Sequence, residues 1–553
     1  MKKIIHHILF FHACVAIFLS LSSYANDIPH LVKQGTATQL VVEGKPFLIR
    51  GGELSNSTAS NLEHLEPFWS KFQQLNMNTV VAPVYWDLME PVEGKFDFTL
   101  VDGLIADARK NNMKLVILWF ASWKNSMSSY CPEWVKVDYD RFPRSRDRSG
   151  QAFEILSPFH KENYETDARA FGALMRHIKR NDKDQTVIMV QPENEIGMVE
   201  HARDYSPMAS QQFGSLVPAE LMQYLSANKQ TLTQALNQAW AKSSYKMTGT
   251  WVDVFGDSPQ TEEFFMAWYF AVYTEQVTKA GKAEYPLPMF VNAALVRPGY
   301  QPGQHISAGP LPHLIDIWRA AAPSIDFLAP DIYFPNFTEW TEKYTRNGNP
   351  LFIPEALRSN EAAVNALYAL SEHDAMGFSP FGIESISGTA KNLLGQSYAL
   401  VEQLEPLILK YQGRKAMRGF LQISDQQKAP QQIRMGGYEM HVKFEYATPP
   451  PLADGVINES GDVSRGARVP AGGLVIQLSD DEYLFAGIGL TITFDSLLPN
   501  EQAGIVYAES GEYLKGKWQN RLWNNGDQTH QGRHVRLVAG EFGIQRVKLY
   551  RYQ

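Results

Sequence analysis

Cysteine is almost absent from this chain of 553 residues, which contains only Cys14 and Cys131. Cys14 falls in an N-terminal segment with the pattern of an export signal, so Cys131 is expected to stand alone in the mature protein. A single cysteine excludes an intrachain disulfide and a cysteine-rich zinc cluster. No histidine spacing indicates another metal site, and we expect neither a metal nor a cofactor.

Long hydrophobic runs are scarce as well. The apolar stretch at residues 8–21 is too short for a comfortable membrane span. Lys2 and Lys3 precede it, and Ser23-Tyr24-Ala25 follows it as a small-x-small cleavage site. Residues 1–25 are therefore predicted to be a signal peptide. The mature protein is expected in the periplasm or outside the cell, without a membrane segment.

The chain has no excess of positive charge. Its 51 Lys and Arg residues against 59 Asp and Glu residues give a formal net charge of −8. A mildly acidic exported protein is a poor candidate for binding nucleic acid or anionic membranes. Aromatic residues make up 12% of the chain, including 12 Trp, a content compatible with stacking on sugars as well as with core packing.

Short apolar strands alternate with helical patterns over most of the chain. The predicted strands are residues 46–53, 78–86, 114–120, 186–190, 288–292, 325–333, 350–355 and 375–381. Eight such units predict an α/β fold of the (β/α)8 TIM-barrel type. A doubly wound sheet has fewer units and usually a Gly-rich phosphate turn, which is missing here.

From about Arg414 the pattern changes to short strands separated by Gly and Pro turns, typical of a β-sandwich. We predict a signal peptide at 1–25, a catalytic barrel with short N-terminal strands at 26–413, and a C-terminal β-rich accessory domain at 414–553. Pro449-Pro450-Pro451 is predicted to be a stiff loop inside the last part.

Polar and aromatic side chains end several of the predicted strands, where a barrel carries its chemistry. They are Glu53, Trp86, Glu195, Asn292, Tyr333 and Glu355. Strand four is the most informative, because five apolar or β-branched residues run directly into Gln191-Pro-Glu-Asn-Glu195. Burying two carboxylates there requires compensating hydrogen bonds. The alternative is an acidic loop without a catalytic task.

Glu195 and Glu355 form the candidate catalytic pair, since strands four and seven lie across the mouth of a barrel. Glycoside hydrolysis needs two carboxyl groups, one to protonate the leaving oxygen and one to attack or stabilise the oxocarbenium-like centre. Burial and a negative neighbour raise the pKa of the acid while the other carboxyl stays ionised. A double displacement predicts that the two groups lie about 5 Å apart.

Four motifs resemble the retaining β-galactosidases of glycoside hydrolase family 35, within clan A. They are Gly51-Gly-Glu53, the block from Tyr85-Trp86 to Phe98, Cys131-Pro-Glu133-Trp134 and Gln191-Pro-Glu-Asn194-Glu195. The resemblance covers roughly residues 45–385. Ala-Pro-Val-Tyr-Trp86 and the long insert after strand four are also similar to the family 42 β-galactosidases, which suggests a divergent bacterial branch.

The resemblance implies roles for individual residues. Glu195 would be the acid/base and Glu355 the nucleophile. Asn194 would hydrogen-bond the sugar 2-hydroxyl, Glu133 would accept hydrogen bonds from sugar hydroxyls, and Tyr333 would orient Glu355.

Glu53 and Trp86 complete the candidate substrate-binding set. Glu53 is alternatively a supporting residue that holds the site by hydrogen bonds, and Trp86 is either a sugar platform or part of the barrel packing. The predicted function is an exo-acting retaining β-galactosidase that removes terminal β-D-galactosyl residues from oligo- or polysaccharides, such as galactosylated xyloglucan. A β-glucosidase, a β-xylosidase and a non-catalytic carbohydrate-binding barrel remain alternatives.

Overall fold

A computed structural model of the chain describes residues 28–422, 429–445 and 469–553. The predicted signal peptide at residues 1–25 and the predicted stiff loop at 449–451 lie outside these ranges. Each helix within the ranges is too short or too polar to span a bilayer.

Eight parallel strands form a barrel, which confirms the predicted fold class. They are β1 (Ile49–Glu53), β2 (Thr79–Tyr85), β3 (Lys114–Lys124), β4 (Val187–Asn194), β5 (Phe290–Ala294), β6 (Phe327–Ile332), β7 (Ile353–Ala356) and β8 (Gly377–Pro380). The strands pair in order from β1 to β4 and from β5 to β8, and β8 pairs with β1. The barrel closes between β4 and β5 through a parallel bridge joining Val190 and Met289.

The barrel strands are buried along almost their whole length. Every residue of β2, β4 and β6 is buried, as expected for parallel strands that are covered on both faces. One predicted boundary is wrong, because β3 continues to Lys124 instead of ending at Phe120. The added residues stay buried, and Lys124 reaches a register position opposite Asn194 of β4.

Fifteen α-helices of four or more residues are present in the described part of the chain. They are Leu62–Leu65, Trp69–Gln74, Trp86–Met89, Thr99–Lys110, Glu133–Val137, Lys161–Asn181, Pro207–Phe213, Ala219–Ala227, Gln234–Lys242, Trp251–Phe255, Pro259–Glu284, Ile315–Ala321, Phe337–Tyr344, Ala362–Glu372 and Gly388–Tyr411.

The helices Lys161–Asn181 and Pro259–Glu284 pack closely on the outside of the barrel. A Cβ atom at Gly281 would lie 2.2 Å from a ring carbon of Phe171, so this approach requires glycine. The second helix begins at Pro259, and the Ser258 side chain caps it by accepting a hydrogen bond from the Thr261 N–H at 3.2 Å.

Three antiparallel strands precede the barrel, at His30–Gln34, Ala37–Val42 and Lys45–Phe47. The amide of Gln34 donates to the carbonyl of Leu409 at 2.8 Å, which ties this small sheet to the last barrel helix. A short hairpin, Arg144–Arg146 with Ala152–Leu156, follows β3.

The C-terminal region is all-β, as predicted, and contains two sheets. A six-stranded sheet consists of Met417–Leu421, Gly472–Gln477, Glu482–Ile488, Gly543–Tyr552, Gln502–Leu514 and Lys517–Asn524. A four-stranded sheet consists of Gln431–Met435, Tyr438–Phe444, Leu490–Ser496 and Val535–Leu537. The hairpin of Gln502–Leu514 and Lys517–Asn524 was not predicted, because many of its residues are polar and exposed and it lacks a clear apolar alternation.

The six-stranded sheet contributes to two apolar cores. Tyr483 and Phe485 face the four-stranded sheet, whereas Leu484 and Ala486 join the barrel core. This alternation follows from the two-residue period of a strand. The C-terminal region therefore packs directly on the barrel.

Candidate active site

The end of β4 adopts a backbone conformation that L-residues rarely take. Glu193 has φ 64° and Glu195 has φ 45°, both in the left-handed region, which is unfavourable for residues other than glycine. The N–H of Trp123 donates to Glu193 Oε2 at 2.7 Å, and the N–H of Glu195 donates to Asn292 Oδ1 at 2.9 Å. Neighbouring strands thus hold this conformation and fix the direction of Glu195.

Glu195 and Glu355 meet in the barrel mouth. Each is only 4% exposed. Carboxylate oxygens of Glu195, Glu355 and Asp331 all lie within 4.8 Å of one another. Asp331 lies in β6, opposite Glu355 in the strand register. Strands four, six and seven therefore bring three acidic groups to one point.

The two oxygens of Glu355 have different environments. The hydroxyl of Tyr333 donates a short hydrogen bond to Oε1. Oε2 has no hydrogen-bond partner in the described part of the protein. Burial and the neighbouring Glu355 carboxylate raise the pKa of Tyr333, so its hydroxyl remains a donor. Tyr333 therefore fixes Oε1 of Glu355, and Oε2 is the oxygen without a comparable donor among the described residues.

Lys124 places an ammonium group among these acids. Its side chain is buried, and its Nζ donates to Asn194 Oδ1 at 2.8 Å. Burial by itself disfavours the charged amine, but Glu355, Glu195, Glu53 and Asp331 outweigh burial and raise the pKa of Lys124. The lysine therefore stays positive and partly compensates the acidic cluster.

Glu195 is the acid whose pKa suits proton transfer near neutrality. Burial and the negative charge of Glu355 raise the pKa of Glu195 to about 7, against the opposing effect of Lys124. Asn125 donates a short hydrogen bond to Glu195 Oε2. A carboxyl group with this pKa is partly protonated at pH 7 and can donate or accept a proton.

Two further acids in the cluster favour the neutral form. Burial and the charge of Glu355 raise the pKa of Glu53 and of Asp331 well above their usual values. A side-chain hydrogen bond between Glu53 and Glu355 adds to the raised pKa of Glu53. Asp331 Oδ2 accepts a hydrogen bond from the Asn292 amide at 2.7 Å. Asn292 therefore links Asp331 to the backbone of Glu195.

A second buried layer lies behind the end of β4. The hydroxyl of Ser122 and the indole N–H of Trp119 donate to Asp167 at 2.5 and 2.9 Å. Burial and the neighbouring Asp167 raise the pKa of Glu193 well above its usual value. The hydroxyl of Tyr273 also reaches Asp167, at 3.2 Å. This layer supports the backbone that carries Glu195.

Five of the seven predicted site residues lie in this arrangement. Glu195, Glu355 and Glu53 are neighbouring acids, Asn194 is bound to Lys124, and Tyr333 is bound to Glu355. These placements agree with the predicted positions at the strand ends. The catalytic and binding roles themselves remain predictions.

Trp86 and Glu133 are not joined to the acidic cluster. Trp86 is 1% exposed, its ring packs against Trp119 and Trp134, and its indole N–H donates to Glu90 at 2.8 Å. A sugar cannot stack on a ring that is covered in this way, so the platform prediction is corrected to barrel packing. Glu133 is exposed at the start of the helix Glu133–Val137 and makes no hydrogen bond to the cluster within the described ranges.

Three residues of the cluster were missed from the sequence. Lys124 and Asn125 lie beyond the predicted end of strand three, although Ala121 and Trp123 continue its apolar character. Asp331 lies two residues before Tyr333 within a predicted strand, so the two-residue strand period places both side chains on the same face. Asp331 could therefore have been predicted as a site residue from its spacing to Tyr333.

The donor set is better suited to holding protons than to holding a metal ion. Glu195, Asp331 and Glu355 are close enough to share a cation. However, Lys124 already provides a positive charge beside them, and the raised pKa values of Glu195 and Asp331 favour protonated oxygens. Metal ions bind carboxylates in the ionised form.

Two regions match protein-family models. Residues 60–256 match a glycoside hydrolase family 42 model described as Beta-galactosidase, and residues 394–536 match a domain of unknown function, DUF5597. The first match includes Glu195 and fits family 42 better than the predicted family 35. Because the second match begins inside the helix Gly388–Tyr411, the domain boundary at residue 413 remains a prediction. No curated protein matches the chain.

Several solved structures align with part of the chain. The β-galactosidases of Rahnella sp. R3 and Bacillus circulans sp. alkalophilus are each 16% identical, with a TM-score of 0.45, and 65% and 66% of the present chain is covered. The catalytic domain of the Paenibacillus polymyxa β-amylase is 11% identical, with a TM-score of 0.44, over 64% of this chain and 97% of its own. The present chain spans 57% of each β-galactosidase chain. We infer no function from these likenesses.

The family 42 match over residues 60–256 and the two converging carboxyl groups are consistent with the predicted glycoside hydrolase.

Proposed function

We propose that this protein is an exo-acting, retaining β-galactosidase that releases terminal β-D-galactosyl residues from oligo- or polysaccharides. The observation that carries the proposal is the approach of Glu195 and Glu355 oxygens to within 4.8 Å. Retaining glycosidases place their two carboxyl groups about 5–5.5 Å apart, whereas inverting enzymes leave room for a water molecule at about 6.5–9.5 Å.

In the first step, the unpartnered Oε2 of Glu355 attacks the anomeric carbon of the sugar. The bond from that carbon to the glycosidic oxygen breaks, and Glu195 transfers its proton to the departing oxygen. The products of this step are the free aglycone and a glycosyl ester of Glu355. The hydrogen bond from Tyr333 to Oε1 keeps Glu355 aimed at the sugar.

In the second step, Glu195 is ionised and accepts a proton from water. The water oxygen bonds to the anomeric carbon, and the ester bond to Glu355 breaks. Glu195 is thereby protonated again and Glu355 is released as a carboxylate. Two inversions at one carbon retain its configuration, and the overall reaction consumes one water molecule.

Asn194 is suited to bind the sugar that is cleaved. Lys124 fixes its Oδ1, while its Nδ2 has no hydrogen-bond partner in the part of the chain that the structure describes. That N–H group is available to a sugar hydroxyl, and a bond to the 2-hydroxyl strengthens in the transition state. Glu53, which lies beside Glu355, is the second polar group that we propose to contact the sugar.

The assignment of galactose draws on the description of the matched family model and on the motif resemblance. A panel of 4-nitrophenyl β-galactoside, β-glucoside and β-xyloside tests it directly. We expect the highest kcat/KM on the galactoside. NMR of the first product should show the β anomer, and an α anomer formed first would contradict the retaining mechanism. Binding without release of any sugar would favour a non-catalytic barrel.

Export is part of the proposal and comes from the N-terminal sequence alone. We propose that residues 1–25 direct the protein to the periplasm or the medium, where galactosylated hemicellulose such as xyloglucan would be its substrate. Mass spectrometry of the exported protein should find Asn26 at its N-terminus. Retention of residues 1–25 on a cytoplasmic protein would contradict export.

A further inference from the structure

A cavity of about 740 Å³ lies among residues that follow β6 and β7, and neither Glu195 nor Glu355 belongs to its described lining. Tyr333, whose hydroxyl donates to Glu355, forms part of its wall. The N–H of Leu357 donates to the carbonyl of Ile332 at 3.0 Å, which joins the ends of β6 and β7 at the edge of the cavity. The volume falls within the range of roughly 300–1,000 Å³ that is usual for small-molecule sites.

The cavity has apolar surface on both sides. Phe334, Pro335 and Leu357 contribute from the barrel, and Leu421 and Ala471 contribute from the C-terminal region. Leu357 is 50% exposed, although it directly follows the buried end of β7. Sugar rings present apolar C–H faces, and they pack on hydrophobic side chains of this kind.

The polar groups of the cavity are suited to a neutral ligand with many hydroxyls. The side chains of Thr338, Ser359 and Asn365 line the cavity and make no hydrogen bond within the described ranges. Its described lining contains no Lys, Arg or His, and its charged members are Glu339 and Glu361. Glu339 is paired with Lys343, so Glu361 is the carboxylate expected to repel an anionic ligand. A neutral saccharide would find donors and acceptors.

The wall from the C-terminal region is held firmly against the barrel. Arg418 forms an ion pair with Glu372 at 2.9 Å, and the N–H of Gly419 donates to the same carboxylate at 2.9 Å. Glu372 ends the helix that also carries Asn365. Leu421, at the end of the strand that begins with Met417, pairs with Gly472. The two walls therefore have a fixed spacing.

We propose that this cavity binds the leaving saccharide, and that the preferred substrate is a neutral oligosaccharide rather than a small β-galactoside. The proposal rests on the proposed function, because an enzyme that removes a terminal sugar has the remainder of its substrate on the leaving side. It gives the C-terminal region a direct part in substrate choice.

The test compares two substrates, 4-nitrophenyl β-galactoside and a neutral galactosylated xyloglucan oligosaccharide. The variant Asn365→Trp fills the cavity from its helix wall. We expect the ratio of kcat/KM for the oligosaccharide to kcat/KM for the aryl galactoside to fall at least about tenfold, the effect of losing one or two well-fitted contacts. The control Asn520→Trp makes the same change on an exposed strand of the C-terminal region and should leave this ratio unchanged.

A second variant addresses the opposite wall. Leu421→Ala should also lower the substrate ratio, while Leu522→Ala, at a side chain 52% exposed, should not. Thermal unfolding of all four variants shows whether each one is folded at the assay temperature. An oligosaccharide in which the sugar next to galactose is glucuronic acid should be a poorer substrate than its neutral counterpart.

Failure of this proposal is distinguishable from failure of the proposed function. If the native protein hydrolyses no β-galactoside, the proposed function is wrong. If it hydrolyses both substrates, and Asn365→Trp and Leu421→Ala leave their ratio unchanged while folded, the cavity does not bind the leaving saccharide and the β-galactosidase function stands.

Discussion

The barrel mouth and the C-terminal β region differ in where their charged side chains lie. The mouth buries the carboxyl groups of Glu53, Glu195, Asp331 and Glu355 around the ammonium of Lys124. In its described residues, the C-terminal region buries no Asp, Glu, Lys or Arg. Its carboxylates instead form ion pairs near the surface, such as Glu482 with Arg546 at 2.5 Å.

This difference indicates that the barrel mouth is built for chemistry and the C-terminal region for stability. Burying a charge is expensive unless it is paired or neutralised by protonation, so a cluster of buried acids is unfavourable for folding. Its retention in the mouth is understandable if those acids carry out proton transfer and nucleophilic attack. Surface ion pairs contribute little to stability, and the C-terminal region depends on its two apolar cores. Equivalent substitutions in the two regions should therefore have different consequences.

The largest effect is expected for Glu355→Ala. Removing the nucleophile should lower kcat for an aryl β-galactoside by roughly 10⁴-fold. The control Glu482→Ala removes a carboxylate of the C-terminal region and should keep native kcat.

Azide provides a sharper test of the same residue. In Glu355→Ala this small anion can occupy the space of the missing carboxylate, attack the anomeric carbon and yield the α-galactosyl azide, since only one inversion occurs. NMR identifies the anomer. A β-galactosyl azide from this variant would contradict the assignment of Glu355 as nucleophile.

A smaller and substrate-dependent loss is expected for Glu195→Gln. Poor leaving groups need the proton, so kcat/KM for an alkyl β-galactoside should fall roughly 10²- to 10⁴-fold. A dinitrophenyl galactoside, whose leaving group is stable without a proton, should lose much less in the glycosylation step. Equal losses on both substrates would be inconsistent with an acid role.

The pH dependence follows from the same group. The pKa of Glu195 is raised to about 7, and its protonated form is the one that donates. The native kcat/KM should therefore decline as pH rises through about 7, and Glu195→Gln should lack this decline.

Lys124→Met should shift that decline. The positive charge of Lys124 lowers the pKa of Glu195, so its removal should raise this pKa and move the alkaline decline to higher pH. Because Asn194 also loses its partner, kcat/KM should fall on the order of 10²-fold.

Lys443→Met, at an exposed position of the C-terminal region, is the matched control and should keep the native profile. A decline that moves to lower pH in Lys124→Met would contradict the electrostatic arrangement described here.

The sequence was informative about the barrel because its strands are apolar on both faces. Runs such as residues 186–190 are recognisable without any partner, and their ends direct attention to Glu195 and Glu355. The hairpin Gln502–Leu514 with Lys517–Asn524 has no such signature, since polar residues occupy much of both strands. Backbone pairing with Gly543–Tyr552, distant in sequence, supports it.

A site residue could be predicted from the sequence only where the end of its strand was located correctly. Lys124 was missed because strand three was ended at Phe120. Its role depends on four acids from other strands, which no local pattern reveals. The choice between the two roles left open for Trp86 could not be made from the sequence either. Its position at a strand end is correct, but Trp119 and Trp134 cover its ring, and that packing is a property of the folded protein.

The smallest effects come from removing one hydroxyl in each region. Tyr333→Phe deletes the hydrogen bond to Glu355 Oε1, so kcat should fall roughly tenfold, because a misdirected nucleophile reacts more slowly. Tyr483→Phe deletes hydrogen bonds to the carbonyls of Met435 and Asp480, at 3.0 and 3.1 Å. It should lower the free energy of unfolding by about 1 kcal/mol.

The two measurements should separate the two tyrosines. Tyr483→Phe should leave kcat on the aryl galactoside unchanged, because its hydroxyl donates to backbone carbonyls of the C-terminal region. Steady-state kinetics gives kcat for both variants, and denaturant unfolding gives the free energy of unfolding of each. A Tyr483→Phe enzyme that is as slow as Tyr333→Phe, at native stability, would show that the C-terminal sheets act on the catalytic pair itself and that the division between chemistry and stability is wrong.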